Sequence, residues 1–237
     1  MAGRFERTYG KLYRYALAFI NPVKKRVMRT EANIHKYINR RAVDILKNDG
    51  YRDAYSFFMD HMVELNAGVV WADQNFKSIN HFFDPDRKRG LYGSSNALKL
   101  AMEYYQNALD KWKAMDTEKA VFYLGAAVHI VQDMTIPQHA SIRLLNSHRQ
   151  YENFIKKTYL FSAKYAAYKG GYYMGSIEEY IRCNARTAIR IYRKLKDIRP
   201  DSRRYFTIAK FTLPLAQKTT AGCLLNFYRD ISRRTRK

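Results

Sequence analysis

The chain has 237 residues, of which 47% are apolar, enough for a sizeable core, so the composition excludes a disordered chain. Only 11 Gly and 5 Pro are spread over that length, too few turn formers for an all-β sandwich, and no Gly-rich phosphate loop occurs. The two cysteines, Cys183 and Cys223, do not make a disulfide framework and read as free thiols. With 43 Lys+Arg against 21 Asp+Glu the formal net charge is +22. Residues 1–50 contribute +8 and residues 180–237 contribute +13, while residues 51–179 contribute +1. The basic ends predict attraction to polyanions, and the nearly neutral middle is where chemistry is expected.

Periodicity is helical nearly throughout. No apolar run reaches the ~18 residues that span a bilayer. The N-terminal LYRYALAFI, interrupted by Arg14, reads as an amphipathic helix within a basic extension of about residues 1–29. Around 30–48, Ile34, Ile38, Val43 and Ile45 share one broad face. Residues 51–67 continue in that style. The stretch 68–93 has Gly, Asp-Pro-Asp and aromatics without helical spacing and reads as a long ordered loop. A helix over 94–113 follows, with Ser94 or Ser95 as cap, then one capped by Asp116 or Thr117 that ends before Pro137. A helix from about Asn146 is expected to last to Gly170-Gly171, a basic amphipathic one covers 176–197, and two more, broken near Pro214, cover 203–235. The fold expected is a single all-α domain over 1–237, with no internal repeat or linker.

The strongest chemical signal is HIVQDMTIPQH, His129 to His139. His129 and Asp133 lie four apart on one helix face. The preceding AVFYLGAAVHIV carries no formal charge, so the helix is expected to be buried on most sides, and a carboxylate there needs a partner or a metal. A buried His–Asp pair is the plain structural reading. HRQYE repeats the spacing with His148 and Glu152, for which the plain reading is a surface pair. Asp73 and His81 lie in the expected loop, and His35 lies on the first amphipathic helix. Imidazoles and carboxylates without thiolates suit zinc held by nitrogen and oxygen, and eight potential ligands exceed one tetrahedral site. His61 falls outside every motif.

Three stretches together carry a family resemblance: IHKYINRRAVDIL, WADQNFKSINHFFDPD, and YLGAAVHIVQDMTIPQHA followed by HRQYE. The pattern resembles the bacterial zinc-dependent phospholipases C of the alpha-toxin catalytic-domain type. It spans roughly residues 30–155. The resemblance implies an all-α zinc phospholipase C fold and up to three zinc ions. Asp133 would bridge two of them. Asp73, His81 and His129 would complete one, His35 would join Asp133 at the other, and His139, His148 and Glu152 would hold the third. Asp73 is also the family's candidate general base. The implied reaction is hydrolysis of a phospholipid to diacylglycerol and a phosphorylated headgroup by metal-activated water.

Two departures qualify the resemblance. The family's mature chain begins with a Trp whose amino and carbonyl groups ligate the His35-type zinc, and no Trp occurs among residues 1–34 here. Glu31, one turn before His35, is the expected substitute ligand; without a substitute the site would hold two zincs. The larger toxins carry a C-terminal β-sandwich that docks on lipid, and this chain ends without one, so a membrane-lytic toxin is not expected. Related fungal-type zinc nucleases share the three-metal plan but typically end their ligand set in Asp, where this chain has Glu152. A zinc nuclease acting on single-stranded nucleic acid, and a non-catalytic zinc protein binding acidic surfaces, are the alternative functions. Arg233, Arg234, Arg236 and Lys237 are expected to bind polyanions, either an anionic membrane surface or nucleic acid. With no clear signal peptide, a cytoplasmic or membrane-peripheral location is expected.

Overall fold

The computed structural model describes residues 21–74, 80–90, 96–141 and 147–234, with side chains in those ranges except at 21–32, 147–149 and 234. Nine α-helices occur among the described residues: α1 (Asn21–Asn48), α2 (Arg52–Asp60), α3 (Met62–Asp73), α4 (Ala97–Lys113), α5 (Thr117–Asp133), α6 (Pro137–Ala140), α7 (Ser147–Thr158), α8 (Ile177–Leu195) and α9 (Asp201–Arg234). A 3-10 turn, Ala163–Tyr165, follows α7. The all-α expectation holds. The expected helix at LYRYALAFI and the caps Ser94 and Ser95 lie outside the described residues.

The molecule is built around α5. Every residue of that helix from Leu124 to Asp133 is buried. It packs against α3 and α4 along its length, and against α9 and α8. Such a helix has no polar face to offer water, so it must be wrapped. Two glycines set how closely α3 approaches. A Cβ on Gly68 would land on the Phe122 carbonyl oxygen, and one on Gly125 would land on the Leu65 carbonyl oxygen. The two backbones therefore meet directly, where any side chain would hold them apart.

Local chemistry explains several ends. Asp116 accepts from the Lys119 amide at 3.1 Å and caps α5 as expected. The α4 cap is Asn96, which accepts from the Lys99 amide at 3.0 Å. Ser176 caps α8 by accepting from the Glu179 amide at 3.3 Å, while Glu179 reaches back to the Gly175 amide. Pro137 does more than stop α5: it opens the one-turn helix α6, where its missing N–H costs nothing.

Four expectations are corrected. The helical stretch expected over 51–67 is two helices, broken at His61. The expected loop at 68–93 begins only after Asp73, because GVVWAD is the last part of α3. Leu65, Gly68, Val69 and Ala72 form the buried face of α3, and the less buried Ala67, Val70 and Trp71 are apolar as well, so the stretch lacks the polar face that marks an amphipathic helix. The helix expected from about Asn146 to Gly170 ends at Thr158. Gln217 of α9 accepts from the Ala167 amide at 2.7 Å and donates to the Tyr165 carbonyl at 2.8 Å, replacing the helical partners there. Finally, α9 runs through Pro214 as one helix. A mid-helix proline costs about 3 kcal/mol, and here burial of Leu213, Leu215, Ala216 and Gln217 on either side offsets it.

The glycine contact yields a direct test. Gly125→Ala forces α3 and α5 apart, an overpacking cost of about 1–3 kcal/mol, and should lower Tm by roughly 3–10 °C. An unchanged Tm in thermal denaturation would show that the helices tolerate a wider crossing.

Candidate metal centre

Asp133 ends α5 inside the bundle at 4% exposure. Three imidazoles surround it from three parts of the chain. His81 Nδ1, in the segment after α3, lies 2.8 Å from Asp133 Oδ2. His129 Nε2, one turn back on α5, lies 3.2 Å from the same oxygen but outside hydrogen-bond geometry. His35 Nε2, on α1, lies 3.6 Å from Oδ1. The rings of His35 and His129 are 4.3 Å apart and those of His81 and His129 are 5.0 Å apart. Ligand atoms of His35, His129 and Asp133 all fall within 4.8 Å of one another.

The donor set fits a metal because the cluster leaves polar atoms unserved. His81 Nε2, both ring nitrogens of His129 and Asp73 Oδ2 are buried without a hydrogen-bond partner. They are half of the eight such atoms among the described residues. Buried polar groups are normally paired, so this concentration marks a place built for something other than protein. Nitrogen and oxygen donors without sulfur suit zinc.

The protonation states agree. Burial alone would raise the Asp133 carboxyl, but the charges of His129 and His139 beside it, together with the hydrogen bond from His81, hold it well below the usual carboxylate range. Burial pushes His81 down, against the opposing pull of Asp133 and of nearby Asp73. An ionised carboxylate beside a neutral imidazole is the form that accepts a cation.

A second layer fixes His35. Its Nδ1 donates to Gln132 Oε1 at 2.7 Å, which leaves Nε2 to face Asp133. The Gln132 amide donates to Asn39 Oδ1 at 2.8 Å and to Thr220 Oγ1 at 3.2 Å. Asn39 in turn donates to Asn66 at 3.0 Å. Four polar side chains from α1, α3, α5 and α9 thus serve one imidazole. None was singled out from the sequence. The available signal was Gln132 itself, an amide in an otherwise apolar run directly before Asp133.

The remaining expected ligands take varied positions. Asp73 ends α3 half-buried. His139, on α6, is buried, stacks on Phe82 at 4.8 Å and 27°, and its Nδ1 lies 3.2 Å from the His81 carbonyl. The turn that Pro137 opens thus brings His139 to the His81 segment. Glu152 is half-buried on α7. His148 is in the first turn of α7 with its side chain outside the described residues, as is that of Glu31 on α1. His61 sits apart, packed on Phe57 at 4.8 Å and 3.9 Å from Glu64. Arg233 is exposed near the end of α9; the Arg234 side chain, Arg236 and Lys237 lie outside the described residues.

The sequence model for the family described as zinc dependent phospholipase C matches residues 34–204. A phospholipase C of Clostridium novyi is 26% identical over 84% of this chain and 59% of its own length. A phospholipase C of Bacillus cereus is 30% identical over 52% of this chain and 49% of its own. This chain thus spans about half to three-fifths of the length of these two relatives. The alpha toxin of Clostridium absonum superposes with a TM-score of 0.74 at 21% identity, over 85% of this chain and 64% of that one, which establishes the shared fold.

The Gln132 layer carries a prediction. Gln132→Met keeps the volume but removes the acceptor for His35 Nδ1. Zinc affinity should fall about 10–100-fold, the usual effect of removing a partner behind a ligand. Competition against a chelating indicator reads it, and unchanged affinity would remove Gln132 from the centre.

Proposed function

The chain belongs to the zinc-dependent phospholipase C family, and we propose that it hydrolyses the phosphodiester of a phospholipid to diacylglycerol and a phosphorylated headgroup. The observation that carries this reading is the buried Asp133 ringed by His35, His81 and His129, with imidazole nitrogens left unserved. We assign zinc to the eight expected ligands: His35, Asp73, His81, His129, Asp133, His139, His148 and Glu152. Zinc, when bound there, supplies a Lewis acid for the phosphoryl oxygens and lowers the pKa of water.

The chain's own groups do the rest. Asp133 keeps its negative charge in a water-poor interior because imidazoles from three segments face it. Burial keeps His81 a neutral donor. Gln132 sets the tautomer of His35, so that Nε2 faces the centre. Asp73 Oδ2, buried and unpartnered, is the assigned acceptor of the proton released when water attacks phosphorus. The bond from phosphorus to the glycerol oxygen breaks, and that oxygen leaves as diacylglycerol with the proton that Asp73 took from water, returned directly or through solvent.

The test is metal content measured alongside turnover of a phosphocholine ester and of a single-stranded oligonucleotide. The expected result is two or three zincs per chain, ester hydrolysis, and loss of hydrolysis on chelation. Asp133→Asn should lose at least one zinc and reduce turnover by about a hundredfold or more, with circular dichroism reporting whether it folds. Oligonucleotide cleavage without ester hydrolysis would replace the lipid reading with the nuclease one. Full zinc loading with neither activity would make the chain a non-catalytic zinc protein.

Glu31 is proposed as a further ligand to the His35 zinc. Helix α1 runs unbroken from Asn21 past His35, so Glu31 lies one helical turn before that histidine on the same face. Glu31→Gln should release one zinc per chain and leave the rest. Retention of every zinc in the variant, counted by elemental analysis, would refute the assignment.

A further inference from the structure

The segment from Asn153 to Ile177 contains four lysines, Lys156, Lys157, Lys164 and Lys169, and no acidic residue. In its middle, α7 ends and the chain turns. The Phe161 amide donates to the Thr158 carbonyl at 2.9 Å, and Ser162 caps the following 3-10 turn through the Lys164 amide at 3.3 Å. Leu160 and Phe161 are thereby held on a tight, ordered turn, at 66% and 86% exposure. Two large apolar side chains fixed outward and flanked by cations need an apolar destination.

The surface continues beyond the turn. Tyr159 packs edge-on against Tyr37 of α1 at 5.2 Å. Arg41 lies over the Tyr37 ring at 5.5 Å and over the Tyr168 ring at 5.4 Å. Tyr168 is 55% exposed, and its carbonyl accepts from Asn48 at the end of α1. An apolar tip thus leads into a band of tyrosines and cations. Lys157, Lys164 and Lys169 are exposed around it. Asp44 lies at this edge, drawn to Arg40 and Arg41 at 3.5 and 3.9 Å.

We propose that this strip docks the protein on an anionic phospholipid bilayer, with Leu160 and Phe161 entering the boundary between headgroups and acyl chains. Tyr159 and Tyr168 have apolar bodies and polar tips, which suits the headgroup level. The exposed lysines face lipid phosphates. Charge decides the occupant: a +22 chain with an acid-free segment around its apolar tip matches a negative surface, and cations alone would serve without Leu160 and Phe161 for a nucleic acid. No helix among the described residues is long and apolar enough to cross a membrane, so the contact is peripheral. The proposal rests on the phospholipase reading, since it brings the protein to its substrate's surface, and its test separates the two.

The zinc-loaded protein is floated with vesicles of phosphatidylglycerol and phosphatidylcholine, and turnover of a monomeric, water-soluble phosphocholine ester is measured in parallel. Leu160→Ser with Phe161→Ser should weaken vesicle binding about tenfold or more, with zinc content and ester turnover unchanged. Phe161→Trp should retain binding and show a blue-shifted emission on adding vesicles, which electrostatic adhesion alone would not give. Loss of binding in the double variant, in a protein that hydrolyses no ester, would support docking while sinking the lipid-substrate reading. Unchanged vesicle binding in the double variant overturns docking and leaves that reading intact. Docking is equally overturned if the wild-type chain ignores vesicles and the variant only breaks a dimer or weakens oligonucleotide binding.

Discussion

A carboxylate placed at the end of a helix buried on every side is the constraint from which the rest of this structure follows. Asp133 stays ionised at 4% exposure because its opposite partners are supplied by the protein's own imidazoles and, in a zinc phospholipase C, by the metal. An isolated charge there would cost far more than a small domain's whole margin of stability. Each surrounding element is placed by that need. Helix α1 delivers His35, the segment after α3 delivers His81, and α5 delivers His129 from one turn below. Helix α6 brings His139 back to the His81 carbonyl through the turn that Pro137 opens. The bundle is a means of bringing sequence-distant groups to one oxygen pair.

Rigid support matters because a metal site tolerates little error in position. The direct backbone contact at Gly68 and Gly125 fixes α3 against α5, the two helices that end in Asp73 and Asp133. The Gln132 amide then locks the His35 ring against three further polar side chains. The same pattern recurs on the far side of α5, where Asn184 of α8 donates to the Val131 carbonyl and to Thr219 of α9. Buried amide and hydroxyl donors from α8 and α9 hold the lower half of α5 in one register. Directional bonds of this kind favour one arrangement where apolar packing alone would allow several.

How much of this was legible depends on the range of the interaction. His129 and Asp133 announce themselves through four-residue spacing, because helical neighbours are local in sequence. The Asp116 cap was legible for the same reason. What escaped was set at long range. Residues 68–73 look irregular because Ala67, Val70 and Trp71 give α3 no polar face there, and its packing against α5, far along the chain, sets the helix. The end of α7 at Thr158 depends on Gln217, some fifty residues on, taking the backbone partners of Tyr165 and Ala167. Pro214 signals a break that α9 overrides through burial on both flanks. Gln132, Asn39, Asn66 and Thr220 lie in four separate helices, so no spacing links them. Their buried amides and hydroxyl are ordinary residues until the fold assembles them.

The charge distribution resolves a conflict between the centre and its surroundings. A chain with a net +22 opposes the arrival of a divalent cation at its interior, yet the same charge attracts the anionic surfaces on which a lipid-directed protein would work. Separation in space reconciles the two. The centre carries its own carboxylates, and close, poorly solvated charges interact strongly. The basic residues sit on solvated surfaces, where salt screens them beyond about 8 Å at physiological ionic strength. Local negative charge therefore governs the buried site, while the diffuse positive field governs encounter. Burial, which keeps His81 below its ordinary pKa, makes the residue a better ligand in a protein whose overall charge would otherwise resist metal.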